Sequence, residues 1–200
     1  MGRTFDLCDA PPMTMEYKGK TYPLCPWFDN VLLMLRSLDG LDGADRMEIM
    51  CDFLVNGDHP HYDPDFFAAL ADIFFQKAES DGSPRAMDFE QDAALIYAAF
   101  RQIYGIDLHA EIGKMHWNTF CALMEGLPAT TRFSDIIAVR TRPLPAPNKN
   151  NAAERAELAR LKQKYRIRLT EDERENGFQK GLAKMAQCLI AMAQEGETNG

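Results

Sequence analysis

The chain has 200 residues, a net charge of −8, and 46% hydrophobic against 26% charged residues, a balance that supports one well-buried core plus a helical appendage and excludes wholesale disorder. Apolar runs such as 31–35 are far shorter than the roughly 20 residues of a spanning helix, so no membrane partner is expected. The acidic balance argues against general affinity for nucleic acid, which needs clustered cations to displace counterions.

Five cysteines, an odd number without regular spacing, fit unpaired thiols in a reducing cytoplasm. Near the N-terminus Arg3 is accompanied by Asp6 and Asp9 with no continuous apolar block, so no secretory signal is expected.

Taken in order, residues 13–24 place the β-formers Tyr17, Thr21 and Tyr22 around Lys18-Gly19, which predicts a hairpin. A lone hairpin is marginal in water, so it must cover part of a helical core. Pro23 and Pro26 bracket the start of a first helix. Its face is Trp27, Phe28, Val31, Leu32, Leu35 and Leu38, and Asp39-Gly40 end it. A second helix over 43–55 carries Met47, Met50, Cys51 and Leu54 on one side.

The link 58–63 brings His59, His61, Asp58 and Asp63 within six residues, donors that a divalent metal can use. Its spacing matches none of the familiar zinc motifs. Pro60 suits a turn, Asp63 an N-cap and Pro64 the first helical position, so the loop is read as a turn and cap and no metal is assigned.

Phe66, Phe67, Leu70, Ile73 and Phe74 form a third helical face, and 81–84 is a loop. The stretch 88–142 then predicts three short helices sharing one core. Asp88 and Gln91 have the spacing of a capping pair ahead of Phe89, Ala93, Ile96, Phe100 and Ile103, which step by four, three, four and three until Gly105. Trp117, Phe120, Cys121 and Met124 repeat the stripe. After Gly126-Leu127-Pro128, Phe133, Ile136, Ile137 and Arg140 begin another.

Pro143, Pro145 and Pro147 exclude helix and favour an extended linker. A charged helix follows over 152–165 with only Leu158, Leu161 and Tyr165 as large apolar residues on one side, which predicts a solvent-facing helix. Behind a capping box of Thr170 and Glu173, the residues Phe178, Leu182, Met185, Leu189 and Met192 make an amphipathic seam, the candidate partner-binding surface. It can fold back, pair with another copy, or bind a partner. The expected fold is mainly α, a compact multi-helix core with a small N-terminal hairpin over 1–142, a Pro-rich linker at 143–150 and C-terminal helices over 151–200.

No GxGxxG, GxxxxGK with Ser or Thr, GxSxG, HExxH or CxxC occurs. His109 and His116 lie near Glu111 and Cys121, but Cys121 shares the apolar stripe of Trp117 and Met124 and is read as a core residue. No catalytic residue, cofactor or metal ligand is assigned, and the chain is read as not an enzyme. The basic residues after Thr131, from Arg132, Arg140 and Arg142 to Arg166 and Arg168, are read as a solvated helix face. The segment 131–142 lacks the polar face of a DNA-recognition helix. Eleven methionines, several on predicted helix faces, suit either a core or a surface that accepts variable apolar partners.

The run Ile96-Tyr97-Ala98-Ala99-Phe100, then Tyr104-Gly105-Ile106-Asp107-Leu108, Met115-His116-Trp117, Phe120, Ala122-Leu123-Met124-Glu125-Gly126-Leu127-Pro128, Phe133, Ile136-Ile137 and Arg140-Thr141-Arg142 resembles the phage gene product fifteen family. A weaker likeness extends to Lys18-Gly19-Lys20 and Leu161-Lys162-Gln163-Lys164-Tyr165. These are small proteins of tailed phages and prophages of Gram-positive bacteria, usually encoded beside the tape-measure gene. The resemblance implies a tail assembly chaperone, resident in the host cytoplasm and absent from the mature virion. Its partner would be the tape-measure protein, bound before the tail tube polymerises, with self-association into oligomers as a further expectation. The alternative is a structural morphogenesis protein, such as a head-tail connector or tail completion component, retained in the virion. The resemblance supplies no catalytic residues, and the helix after Arg168 departs from the family's pattern.

Overall fold

Residues 14–23 double back on themselves because Lys18 and Gly19 both take left-handed backbone angles, with φ of 47° and 76°. That is the turn whose twist matches a two-residue hairpin, and glycine takes such an angle without steric cost. Strands β1 (Thr14–Tyr17) and β2 (Lys20–Pro23) pair antiparallel, Met15 opposite Tyr22. Those two side chains are the buried ones of the ribbon. The structure is a computed structural model describing residues 7–38, 40–75 and 85–168. Among these the chain is mainly α, with seven helices behind the hairpin, the class the apolar spacing predicts.

Helix α1 (Phe28–Ser37) buries Phe28, Val31 and Met34, so the centre of its inner face lies one residue from the predicted stripe, with Leu32 and Leu35 at its margins. Helix α2 (Gly43–Leu54) starts where the Asp42 carboxylate accepts the amides of Ala44 and Asp45 at 3.0 and 2.9 Å. Helix α3 (Pro64–Phe74) starts in the same way on Asp63, which accepts from Asp65 and Phe66 at 3.1 Å, with Pro64 in its first turn. These caps satisfy amides that no preceding turn can reach. The hairpin lies on α3, where Tyr17 and Tyr22 pack edge-on against Phe66 at 5.2 and 4.9 Å. Tyr17 also donates its hydroxyl to Asp63 at 3.1 Å.

Helix α4 (Ala93–Tyr104) begins four residues later than the Phe89 stripe implies. Asp88 does cap, accepting the amides of Glu90 and Gln91 at 3.0 and 2.7 Å, but it caps a single turn rather than the helix. Phe89 therefore enters the core from that turn. Gly105, with φ of 70°, ends α4. Helices α5 (Trp117–Glu125) and α6 (Arg132–Thr141) follow. Thr131 is fully buried and caps α6 by accepting from Ser134 at 3.2 Å.

The core is aromatic, and Phe120 is its hub. Its ring stacks on Phe28, Phe100 and Trp117 at centroid distances of 5.0, 5.3 and 5.6 Å. Trp117 satisfies its indole N–H on the Phe74 carbonyl at 3.0 Å, joining α5 to the end of α3.

Residues 143–148 form no helix or strand. Helix α7 (Ala152–Lys164) then returns onto α6. Most of its surface faces solvent, yet Leu158 and the following Ile167 are buried. Lys162 donates to the Arg140 carbonyl at 2.6 Å. One compact unit spans Met1–Ile167 and a second spans Arg168–Gly200. The seam residues Phe178, Leu182, Met185, Leu189 and Met192 lie outside the described residues.

Candidate functional site

Between α1 and α4 lies a groove of about 570 Å³. Its floor is the aromatic hub, Phe28 and Phe120, with Ile96 and Leu108 beside them. Leu33 and Ile112 form apolar lips that are 53% and 54% exposed. Leu33 falls off the inward stripe of α1, and Ile112 lies in the turn-rich connection between α4 and α5. The rim carries both signs: Arg36 pairs with Glu90 at 2.5 Å, and Asp29 accepts the Gly113 amide at 2.9 Å. An apolar trough with a charged rim can take the apolar edge of an amphipathic helix.

Next to the groove-lining Ala93, a buried ion pair anchors the start of α4. Arg140 grips both oxygens of Asp92 at 2.6 and 2.8 Å, and their side chains are 7% and 2% exposed. Arg140 also donates to the Ala86 and Tyr165 carbonyls at 3.2 and 2.6 Å, so it ties the start of α4 to the chain leaving α7. Asp92 further accepts the Asp88 amide at 3.0 Å. The sequence places Arg140 on the α6 stripe, and its partner 48 residues earlier carries no sequence signal. Two other basic residues of this region pair with carboxylates, Arg142 with Glu154 at 2.8 Å and Arg160 with Glu157 at 2.7 Å.

The Cys121 and histidine neighbourhood is structural. Burial pushes the Cys121 thiol up to about 12, far from a reactive thiolate. His109 is exposed and lies against the Tyr97 ring at 4.9 Å. His116 is the N-cap of α5: its Nδ1 accepts the Asn118 amide at 3.0 Å while Nε2 donates to the Pro12 carbonyl at 3.4 Å. An acceptor at Nδ1 requires the neutral ring. Burial pushes the same way, lowering the pKa of His116.

The loop 58–63 is more than a cap. Glu48 and Asp52, one turn apart on α2, meet His59 and His61 from the loop. Among the described residues, Glu48, His59 and His61 form the one cluster with metal-ligand character, each offering a donor atom within 4.8 Å of the others. His59 is buried and places Nε2 3.0 Å from the Asp52 carboxylate. Glu48 hydrogen-bonds Nδ1 of His61 and accepts the Tyr62 amide at 2.9 Å. The His61 bond, then the Tyr62 amide, lowers the Glu48 pKa, and in return Glu48 raises that of His61. Glu48 and Asp52 are absent from the sequence reading because their spacing is ordinary for an exposed helix face. Only the fold brings them to the loop.

The sequence model described as Bacteriophage Gp15 protein matches residues 7–167. The chain belongs to the Bacteriophage Gp15 protein family. The match spans the hairpin, the aromatic core, both sides of the groove and α7, and it stops where the first compact unit stops. No curated protein and no solved structure matches the chain. No helix among the described residues is long and apolar enough to cross a membrane.

Proposed function

We propose that this phage-family protein is a tail assembly chaperone, binding the tape-measure protein before the tail tube polymerises around it. The carrying observation is the groove between α1 and α4, an apolar trough whose two lips, Leu33 and Ile112, are both exposed. Monomeric soluble proteins seldom leave contiguous apolar surface without a use. A tape-measure protein is a long helical client, and an amphipathic helix presents side chains at i, i+3 and i+4 that fit such a trough. The net charge of −8 keeps a protein with exposed apolar surface soluble while its client is held. Beyond Arg168, the seam of Phe178, Leu182, Met185, Leu189 and Met192 is a second client-binding or self-association surface in the same scheme.

A chaperone leaves the particle and a structural component stays. Quantitative mass spectrometry of purified virions separates the two, and the expected result is absence of this chain beside tail proteins present in fixed copy number. Its presence at a fixed stoichiometry would overturn the chaperone reading in favour of a connector or tail completion component.

A further inference from the structure

We propose that Glu48, His59 and His61, with Asp52 beside them, form a binding site for a divalent transition metal of the zinc class. The donor set favours that class: two imidazoles and carboxylate oxygens suit zinc and its first-row neighbours, whereas calcium and magnesium take oxygen ligands almost alone.

The protein positions these donors before any metal arrives. Glu48 and Asp52 are four residues apart on α2 and therefore share a face. Pro60 separates the two histidines, and Tyr62 holds a left-handed φ of 51°, a strained angle for an aromatic residue, with its amide fixed on Glu48 at 2.9 Å. Strain of this kind persists where surrounding structure holds it, and it concentrates at binding sites.

His59 supplies the second observation. Its side chain is 3% exposed, yet both ring nitrogens face oxygens: Nε2 the Asp52 carboxylate at 3.0 Å, and Nδ1 the Pro60 carbonyl at 3.2 Å. An imidazolium donates to both oxygens, whereas the neutral ring that a metal requires donates to one and leaves the other nitrogen free to bind. A metal on the other nitrogen completes the ring's coordination, with the carboxylate either orienting the ring or serving as a fourth ligand.

Tetrahedral zinc donors at about 2.0–2.1 Å lie roughly 3.4 Å apart, so donors now within 4.8 Å of one another need only a small rearrangement, and His61, being exposed, is free to move. With Asp52 as the fourth donor the site is closed and structural, whereas with Asp52 only orienting His59 it keeps one open position. Such a clip pins the loop leading into Asp63, the residue that caps α3 and receives Tyr17 and Lys18 from the hairpin.

The test is equilibrium dialysis of the untagged, chelator-stripped full chain against zinc chloride, with thermal unfolding followed in parallel. One equivalent of zinc should bind and raise Tm. Because His59 is buried, the informative variants are His61→Ala and Glu48→Gln, which should keep the wild-type circular dichroism spectrum and lose at least about tenfold in zinc affinity. Cobalt substitution should give visible d–d bands without an intense thiolate charge-transfer band. Sub-stoichiometric zinc, wild-type affinity in both variants, or a thiolate band placing the metal on cysteines would each overturn the proposal.

Discussion

Asp92 and Arg140 leave water together, at 2% and 7% exposure, and neither charge is tolerable there without the other. Removing one partner of such a pair costs about 3–5 kcal/mol, because the survivor stays buried and uncompensated. Arg140→Ala should therefore shift the urea midpoint down by that equivalent, and the double variant with Asp92→Ala should cost less than the sum of the two singles. Two histidines shape the pH profile from opposite sides. The folded pKa of His116 is lowered below 6.5 by burial, so its contribution is full above 6.5 and is lost as pH falls through the folded value. That of His61 is raised above 6.5 by its bond to Glu48, so its contribution is full below 6.5 and is lost as pH rises through the folded value. These two groups together favour maximum stability between their two folded pKa values. In chelator-treated protein, denaturation across pH 5–8 should show His116→Asn flattening the acid limb and His61→Ala the neutral limb.

Single-element features were legible in the sequence wherever the physics is local. Asp63 caps α3 and Gly105 ends α4 because carboxylates accept orphan amides and glycine takes a positive φ at little cost. The start of α4 was less legible. Asp88 and Gln91 have capping spacing, but Asp92 is turned onto Arg140 and the Gln91 side chain donates to the Arg166 carbonyl at 2.9 Å, so distant partners moved the boundary. The same distance dependence separates the α7 of the sequence, a charged helix with three large apolar residues, from the α7 of the structure, which anchors Leu158 against α6 and brings Tyr165 to Arg140. Truncation at the proline-rich segment should accordingly be costly. A chain ending at residue 142 should unfold at lower denaturant than one ending at 167, and equal midpoints would show that α7 adds nothing to the core. Leu158→Ala should itself cost about 2–5 kcal/mol in the longer chain.

For the whole molecule, the mainly helical class and the aromatic core follow from apolar spacing, whereas the groove does not. It is lined by α1, α4 and the connection before α5 around the Phe120 hub, and the sequence hides it because Leu33 lies within the apolar run 31–35 and Ile112 within a loop. The metal-ligand cluster was half legible, since His59 and His61 stand together in the chain while Glu48 and Asp52 reach them only through the α2–α3 fold. The proposed function rests on that groove as the place where a client would bind. Co-expression of this chain with a tape-measure protein from the same phage or prophage, followed by solubility and co-purification, is the most direct measurement. The expected result is a soluble tape-measure protein that co-purifies with the wild-type chain and is lost with Leu33→Asp, whose Tm should stay within a few degrees of wild type because Leu33 is exposed. A client that remains insoluble and fails to co-purify with the wild-type chain, or that binds Leu33→Asp equally well, would contradict the account.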